Sequence, residues 1–327
     1  QNIIAVTRQF AYSSKNHNTI DMVISVNGIP VVALELKNQL KGQDYECAMR
    51  QYREDRDPKE LCFRLNHRFL VYFAVDLYET WMTTCLSGSS TRFMPFNQGS
   101  GGAGKVGGAG NPQNPDGYCT SYLWEEVLTK ESLMDILHRF VSYVETKEDD
   151  KVNKFVIFPR YHQYDVTHKI LDDVKMNGSG KNYLIEHSAG SGKSNSIAWI
   201  AYRLASLFDD DNKPVFNSVI VVTNRVVLDS QLQDTINSFE HKPGLVEPID
   251  EKKHSKGLSD AINDKKRIII CTIQKFLFAY KDFDEFIKHD MDAVVLANYA
   301  NEHGVFAIKC LNKGLHVMSE VLPCETM

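Results

Sequence analysis

The run Glu186-His-Ser-Ala-Gly-Ser-Gly-Lys-Ser194 constrains this chain more than any other stretch. It follows the short apolar run Asn182-Tyr-Leu-Ile185 and precedes Asn195 to Ala205, whose apolar residues recur at helical spacing. A strand, a Gly-rich turn and a helix opening on Gly-Lys-Ser form the setting that a phosphate-binding loop requires. Gly190 and Gly192 reach backbone conformations closed to other residues, so successive N–H groups can face one concavity. The helix N-terminus adds partial positive charge there. Gly190, Ser191, Gly192, Lys193 and Ser194 are therefore candidate nucleotide-binding residues for ATP. Lys193 would reach the β and γ phosphates, and the Ser194 hydroxyl would take a Mg2+ position. The strict pattern has Gly where this chain has His187. A Gly-Ser turn with a chance lysine is the competing reading.

A second constellation lies upstream. Asp21 opens Asp-Met-Val-Ile-Ser-Val26, Asn27-Gly28 is a turn signal, and Ile29-Pro-Val-Val-Ala-Leu-Glu-Leu-Lys37 follows. Apolar runs flanking Asn-Gly predict a β-hairpin. Glu35 and Lys37 are two apart and share a strand face. Pairing across the turn could bring Asp21 alongside them. Two carboxylates and a lysine at a strand end can hold Mg2+ and stabilise charge on a phosphate under attack. The spacing equally fits a solvated strand face with an ordinary ion pair.

The rest of the chain reads as α/β. Tyr45 to Tyr52 predicts a helix, Arg68 to Val75 a buried strand, and Glu79 to Thr84 an edge strand. Residues 98–117 hold too much Gly and Pro for a regular element and read as a surface loop or mobile segment. Tyr122 to Thr146 predicts one or two helices, and the charged run Lys147 to Lys151 a connector between domains. After it, helix and strand alternate: His162 to Met176, Tyr183 to Ile185, Ser194 to Leu207, Ser218 to Thr223, Leu228 to Phe239 and Arg267 to Thr272. That alternation argues a parallel sheet covered by helices on both faces.

Composition adds bounds. The 327 residues leave room for two domains. A net charge of −5 does not advertise nucleic-acid binding, although local patches decide contact with phosphate. Arg50, Arg53 and Arg56, spaced at threes on a predicted helix, are either such a patch or a solvated face. The seven cysteines are scattered without paired Cys-x-x-Cys spacing, and predict reduced thiols in a cytoplasmic protein. No run of about 18 apolar residues predicts a membrane span. No signal peptide is evident, and with Gln1 first the true N-terminus is expected to be absent.

At this point the sequence resembles a known family. Asp21 followed by Glu35-Leu36-Lys37 is similar to the Asp…Glu-x-Lys signature of restriction-endonuclease-like nucleases. Gln51-Tyr-Arg-Glu-Asp-Arg-Asp-Pro58, Phe158-Pro-Arg-Tyr-His-Gln163 and Val222-Thr-Asn-Arg-Val-Val-Leu-Asp-Ser-Gln231 resemble segments of the restriction (R) subunits of type I restriction enzymes, in the family's order. The resemblance covers residues 1 to about 278. It implies an α/β chain with a restriction-endonuclease-like nuclease domain at 1–146 and a partial RecA-like parallel α/β helicase lobe at 147–279. Asp21, Glu35 and Lys37 would then be nuclease residues, with Asp21 and Glu35 as metal ligands beside Ser194 in the motor. Gln51 would match an accessory Gln-x-x-x-Tyr motif, but Asp55 stands where its tyrosine belongs. Arg160 and Gln163 would hold adenine, and Thr272 and Gln274 would touch the DNA backbone. Implied partners are double-stranded DNA and the methyltransferase and specificity subunits of a type I complex, with no membrane.

The last residues depart from that family. No Asp-Glu-Ala-His strand follows Phe276; the nearest acidic residues are Asp282, Asp284 and Glu285. Asp292-Ala-Val-Val-Leu-Ala-Asn-Tyr-Ala-Asn-Glu-His303 and His316-Val-Met-Ser-Glu320 resemble instead a late strand region of glucose-fructose-oxidoreductase-like NAD(P)-dependent dehydrogenases. The family's Glu-Lys-Pro is Glu320-Val-Leu-Pro323 here, and no Gly-x-Gly-x-x-Gly loop is present. Residues 280–327 thus read as a foreign dehydrogenase-like tail, fused near residue 280 and able to fold as a βαβ-like appendage. The resulting expectation is a truncated restriction subunit whose motor is incomplete. Its alternatives are a catalytically dead nucleotide- or DNA-binding fragment and a dehydrogenase fragment.

Overall fold

The computed structural model describes residues 2–148, 151–223, 232–237, 239, 244–249, 255–272, 292–297 and 300–319. Contacts divide the chain into two compact units, Gln1–Asp165 and Val166–Met327.

The first unit is built on a six-stranded sheet in the order β1-β2-β3-β4-β5-β6. Its strands are β1 (Ile4–Ala11), β2 (Thr19–Val26), β3 (Ile29–Leu36), β4 (Val71–Val75), β5 (Thr80–Thr83) and β6 (Met94–Pro95). β2 and β3 are antiparallel, joined at Asn27 and Gly28 with φ of 51° and 83°. Two successive positive φ angles match the strand twist of a tight hairpin, which is why Asn-Gly serves there. β3 and β4 run parallel, so the chain must cross over between them. That crossover carries helix α1 (Tyr45–Glu54), capped by the Asp44 carboxylate accepting from the Cys47 N–H at 3.1 Å. The helix buries Ala48, Met49 and Tyr52, one face of the turn, while β4 is buried along all five residues.

Further along, residues 98–111 form a glycine-rich loop whose ends are tied together. Gly99 N–H donates to Gly110 O at 2.8 Å and Ser100 N–H to Gly108 O at 3.0 Å. A Cβ at Gly101 would stand 2.2 Å from Val106 O, and one at Gly107 2.4 Å from Gly101 N, so close backbone approach explains the glycines. A π-helical turn (Leu123–Val127) and α2 (Lys130–Arg139) follow.

Two expectations fail here. Residues up to 146 are not all helical: β7 (Ser142–Glu148) pairs antiparallel with β8 (Lys151–Ile157), from Ser142↔Ile157 to Glu148↔Lys151. The alternation of Tyr143, Val144, Glu145 and Thr146 favours a pleated strand, and Val144 and Val156 are buried from it. The charged run at 147–151 therefore falls at a hairpin end, with Asp149 and Asp150 outside the described residues. The division between units comes later, inside α3 (Tyr161–Asn177).

The second unit holds a wholly parallel six-stranded sheet in the order β11-β12-β10-β13-β14-β9. These strands are β9 (Tyr183–Leu184), β10 (Val219–Thr223), β11 (Val246–Pro248), β12 (Ile268–Thr272), β13 (Ala293–Ala297) and β14 (His316–Ser319). β10 and β12 are buried at every residue, as strands covered on both faces must be. On one face Ile220, Val222, Ile269, Cys271, Val294 and Val317 pack with Leu258 and Ile262 of α5 (Ser255–Asn263). Phe306 and Cys310 of α6 (Ala300–Asn312) join the same cluster. Helix α4 (Lys193–Ala205) buries Trp199, Ile200 and Leu204, and residues 232–237 are helical.

The segment after residue 292 is not an appendage. β13 pairs with β10 and β14 with β9, so both lie inside the sheet. An apolar, β-branched run such as Ala293-Val-Val-Leu-Ala297 is suited to a buried parallel position. The imidazole of His316 accepts from Gly180 N–H at 3.0 Å and contacts Lys181 O, tying β14 to the chain entering β9. No helix among the described residues is long and apolar enough to cross a membrane.

Candidate functional site

The hairpin register sets Asp21 across from Glu35, because Met22 pairs with Leu34. Asp21 is fixed from three sides. Its Oδ2 accepts from Leu36 N–H at 2.9 Å, its Oδ1 accepts from Gln9 at 3.2 Å, and Lys37 Nζ lies 3.9 Å away. Lys37 in turn donates to Gln51 Oε1 at 2.6 Å, from the face of α1. Asp21, Glu35, Lys37 and Gln51 thus meet at the C-terminal end of β3, where Lys37 N–H also continues the ladder to Val75 O at 2.8 Å.

Glu35 is fully buried. Its Oε1 accepts from Arg56 Nε at 3.1 Å and Nη2 at 2.6 Å, while Oε2 is buried with no partner among the described residues. Burial pushes the Glu35 carboxyl up to about 7, with the Arg56 guanidinium pulling against it and Asp21 adding to the rise both by its charge and by a carboxyl–carboxyl hydrogen bond that forms when Glu35 is protonated. A carboxylate oxygen left dry and unsatisfied beside a second acid suits a divalent cation. Mg2+ commonly takes one or two protein carboxylates and completes its shell with water and phosphate. Asp21 and Glu35 fit that donor set, and no group of three or more His, Cys, Asp or Glu side chains suited to a metal occurs among the described residues.

The spacing of Arg50, Arg53 and Arg56 predicts that Arg56 belongs to a basic patch or a solvated face of a helix. In the structure α1 ends at Glu54 and Arg56 turns inward, 3% exposed. Arg53 also turns in, donating to Thr91 O at 3.1 Å and lying over the Phe93 ring, so only Arg50 of the three is exposed. Tyr12, which stacks on the Arg56 guanidinium at 5.2 Å, and Gln9 also escaped the sequence reading. They come from β1 and the turn after it, whose mostly exposed residues carry little periodic signal. Asp55, in the tyrosine position, is the C-cap of α1.

In the second unit, Gly190 and Gly192 have φ of 70° and 81°, and α4 begins at Lys193. Both glycines adopt the left-handed conformation, and the helix N-terminus has no side-chain cap. Lys193 Nζ donates to His187 O at 3.2 Å, folding over the loop, and Ser194 is exposed in the first turn. An uncapped helix start below two such glycines fits a phosphate. Arg160 and Gln163 belong to the first unit: Arg160 N–H donates to the Gln163 side chain at 2.8 Å at the start of α3. Burial pulls the Arg160 guanidinium below its ordinary range. Val222 and Thr223 close β10, and Thr272 closes β12. Residues 224–231, Gln274, Asp282, Asp284, Glu285, Asn298, Tyr299 and Glu320 to Pro323 lie outside the described residues, as does the junction near 280.

Two family models match the chain: that of the type I restriction enzyme R protein N terminus over residues 1–91, and that of the SWI2/SNF2 ATPase over residues 162–304. The second match runs past residue 280, where the dehydrogenase-like resemblance begins. The endonuclease subunit of the type I restriction enzyme HindI of Haemophilus influenzae is 28% identical over 287 residues, covering 84% of this chain and 25% of the relative. The putative endonuclease subunit of type I enzyme MjaVIIP of Methanocaldococcus jannaschii is 25% identical over 240 residues, covering 72% of this chain and 21% of the relative. The chain therefore spans a quarter or less of the length of these curated relatives.

Proposed function

Taking the two family matches as premise, we propose that this chain is part of the restriction subunit of a type I restriction-modification system. In this reading the first unit holds a Mg2+-dependent DNA endonuclease domain, and the second the ATP-binding part of a DNA-translocating motor. The observation that carries it is the convergence of Asp21, Glu35, Lys37 and Gln51 at one strand end. When bound there, Mg2+ would supply Lewis acidity toward the phosphodiester and acidify its water. Asp21 and the free Oε2 of Glu35 would hold it. Lys37, kept beside Asp21 by Gln51, would stabilise charge on the attacked phosphate or orient the attacking water. Double-stranded DNA would be the substrate, and methyltransferase and specificity subunits the cytoplasmic partners.

For the motor, Lys193 would lie on the phosphates of ATP and Ser194 beside its Mg2+. Binding is not hydrolysis, which needs charge stabilisation and an oriented water at the γ-phosphate. β13, next to β10, ends at Ala297 and is followed by Asn298-Tyr299-Ala300, with no carboxylate before Glu302. That departure favours a second reading in which the motor region binds nucleotide without turnover, although the SWI2/SNF2 match extends through residue 304. Nicking of supercoiled plasmid by the full chain tests the first reading. Cleavage should require Mg2+ and disappear in Lys37→Ala; metal-independent cleavage, or an active Lys37→Ala, would remove it.

A further inference from the structure

We propose that Arg56 is a positioning residue for the cation site, clamping Glu35 Oε1 to the backbone of β2 so that Oε2 is presented to a divalent ion shared with Asp21. The inference rests on the nuclease reading above and names a device that the signature residues do not contain.

Three observations carry it. First, the pair is end-on. Both contacts from Arg56, Nε at 3.1 Å and Nη2 at 2.6 Å, fall on the same carboxylate oxygen. A guanidinium and a carboxylate left to themselves prefer the side-on fork that uses both oxygens. Here Oε2 is buried and has no partner among the described residues, an arrangement that an ordinary ion pair would not leave. Second, Arg56 cannot swing to reach that oxygen. Nη2 also donates to Thr19 O at 2.9 Å, Nη1 meets the Tyr12 hydroxyl at 3.4 Å, and the Tyr12 ring covers the guanidinium at 5.2 Å. Third, those anchors span the two strands that bear the acids. Thr19 lies on β2 two residues before Asp21, and Glu35 lies on β3, so one guanidinium sets the separation of both ligands.

A residue that orients a metal ligand through hydrogen bonds typically tunes affinity about 10–100-fold. The probe is Mn2+ binding to the full chain at pH 8 without nucleotide, followed by calorimetry alongside plasmid nicking over a Mn2+ series. Arg56→Lys should bind Mn2+ about tenfold or more weakly than the wild type. The Mn2+ concentration for half-maximal nicking should rise by the same factor, while the rate at saturating Mn2+ recovers. A merely structural ion pair would lower the folded fraction and leave the metal affinity of the folded protein unchanged. Tyr12→Phe removes the hydroxyl contacts to Arg56 and to Asp55 O, keeps the ring over the guanidinium, and should shift the affinity in the same direction by less; it carries the test if Arg56→Lys does not fold. Wild-type or tighter Mn2+ binding in folded Arg56→Lys, or an unchanged affinity in Tyr12→Phe, overturns the proposal. Glu35→Gln separates the two levels: if the wild type binds no Mn2+ that Glu35→Gln loses, the nuclease reading itself falls and the proposal falls with it.

Discussion

Glu35→Gln should make the first unit more stable while removing the proposed cation site. Glutamine has nearly the shape of the protonated acid, and its amide oxygen can still accept from Arg56 Nε and Nη2. What it lacks is the charge. Burial raises the Glu35 carboxyl from its ordinary 4.5 to about 7, so the folded chain holds this proton after the unfolded chain has lost it. Between those values the folded state binds more protons, and stability falls as pH rises. Above about pH 7 the loss is complete, about 3 kcal/mol as an order of magnitude. Arg56 is already counted in that figure, since its attraction opposes the rise. Urea unfolding followed by circular dichroism in EDTA should therefore show Glu35→Gln more stable than wild type at pH 8, by up to about 3 kcal/mol. At pH 4.5 the gap should close to a few tenths of a kcal/mol, roughly the residual set by half-ionised unfolded Glu35. The competing outcome is a buried guanidinium stranded without its counter-ion, which costs about 3–5 kcal/mol. A variant less stable than wild type at pH 8 would refute the reasoning and make the carboxylate a net contributor to the fold.

Other consequences are more direct. Because a metal ligand must be deprotonated, nicking at limiting Mg2+ should climb up to about tenfold per pH unit below about pH 7 and level off above it; a flat profile from pH 6 to 8 would contradict this. Lys193→Ala should abolish ATP binding measured by calorimetry, and binding that survives would place the nucleotide elsewhere. Phosphate release should stay near background and be unmoved by duplex DNA. Clear DNA-stimulated turnover that Lys193→Ala abolishes would mean that another residue replaces the missing carboxylates.

Local chemistry was legible in the sequence, and long-range pairing was not. Asn27-Gly28 announces its hairpin because few other pairs tolerate two positive φ angles, and the turn at Gly190 and Gly192 announces itself through glycines before a helix. β1 left no such mark, since most of its residues are exposed on both faces. The strand at 142–148 is hard to separate from the helical run before it, because α2 ends at its Phe140 C-cap and β7 begins only two residues later at Ser142. Arg56 was misplaced because its partner lies 21 positions away, and the spacing of Arg50, Arg53 and Arg56 holds only while the helix continues. The sheet order in the second unit was equally hidden. Nothing local in Ala293 to Ala297 says that β10 is its neighbour.

That order has a bearing on how the chain acquires the loop at 190–194 during synthesis. β9 sits at the sheet edge and pairs only with β14 among the described strands, and Gly180 is held by His316, 136 positions further on. A ribosome releasing the chain from its N-terminus would deliver Gly190 to Ser194 long before anything exists to hold the strand beneath them. Contacts of such long separation form late and slowly. The loop would therefore be the last part of its unit to be secured, although the residues that define it are made early. A fragment ending between β10 and β13 would contain every residue of the phosphate-binding signature and still lack the partner that fixes its position.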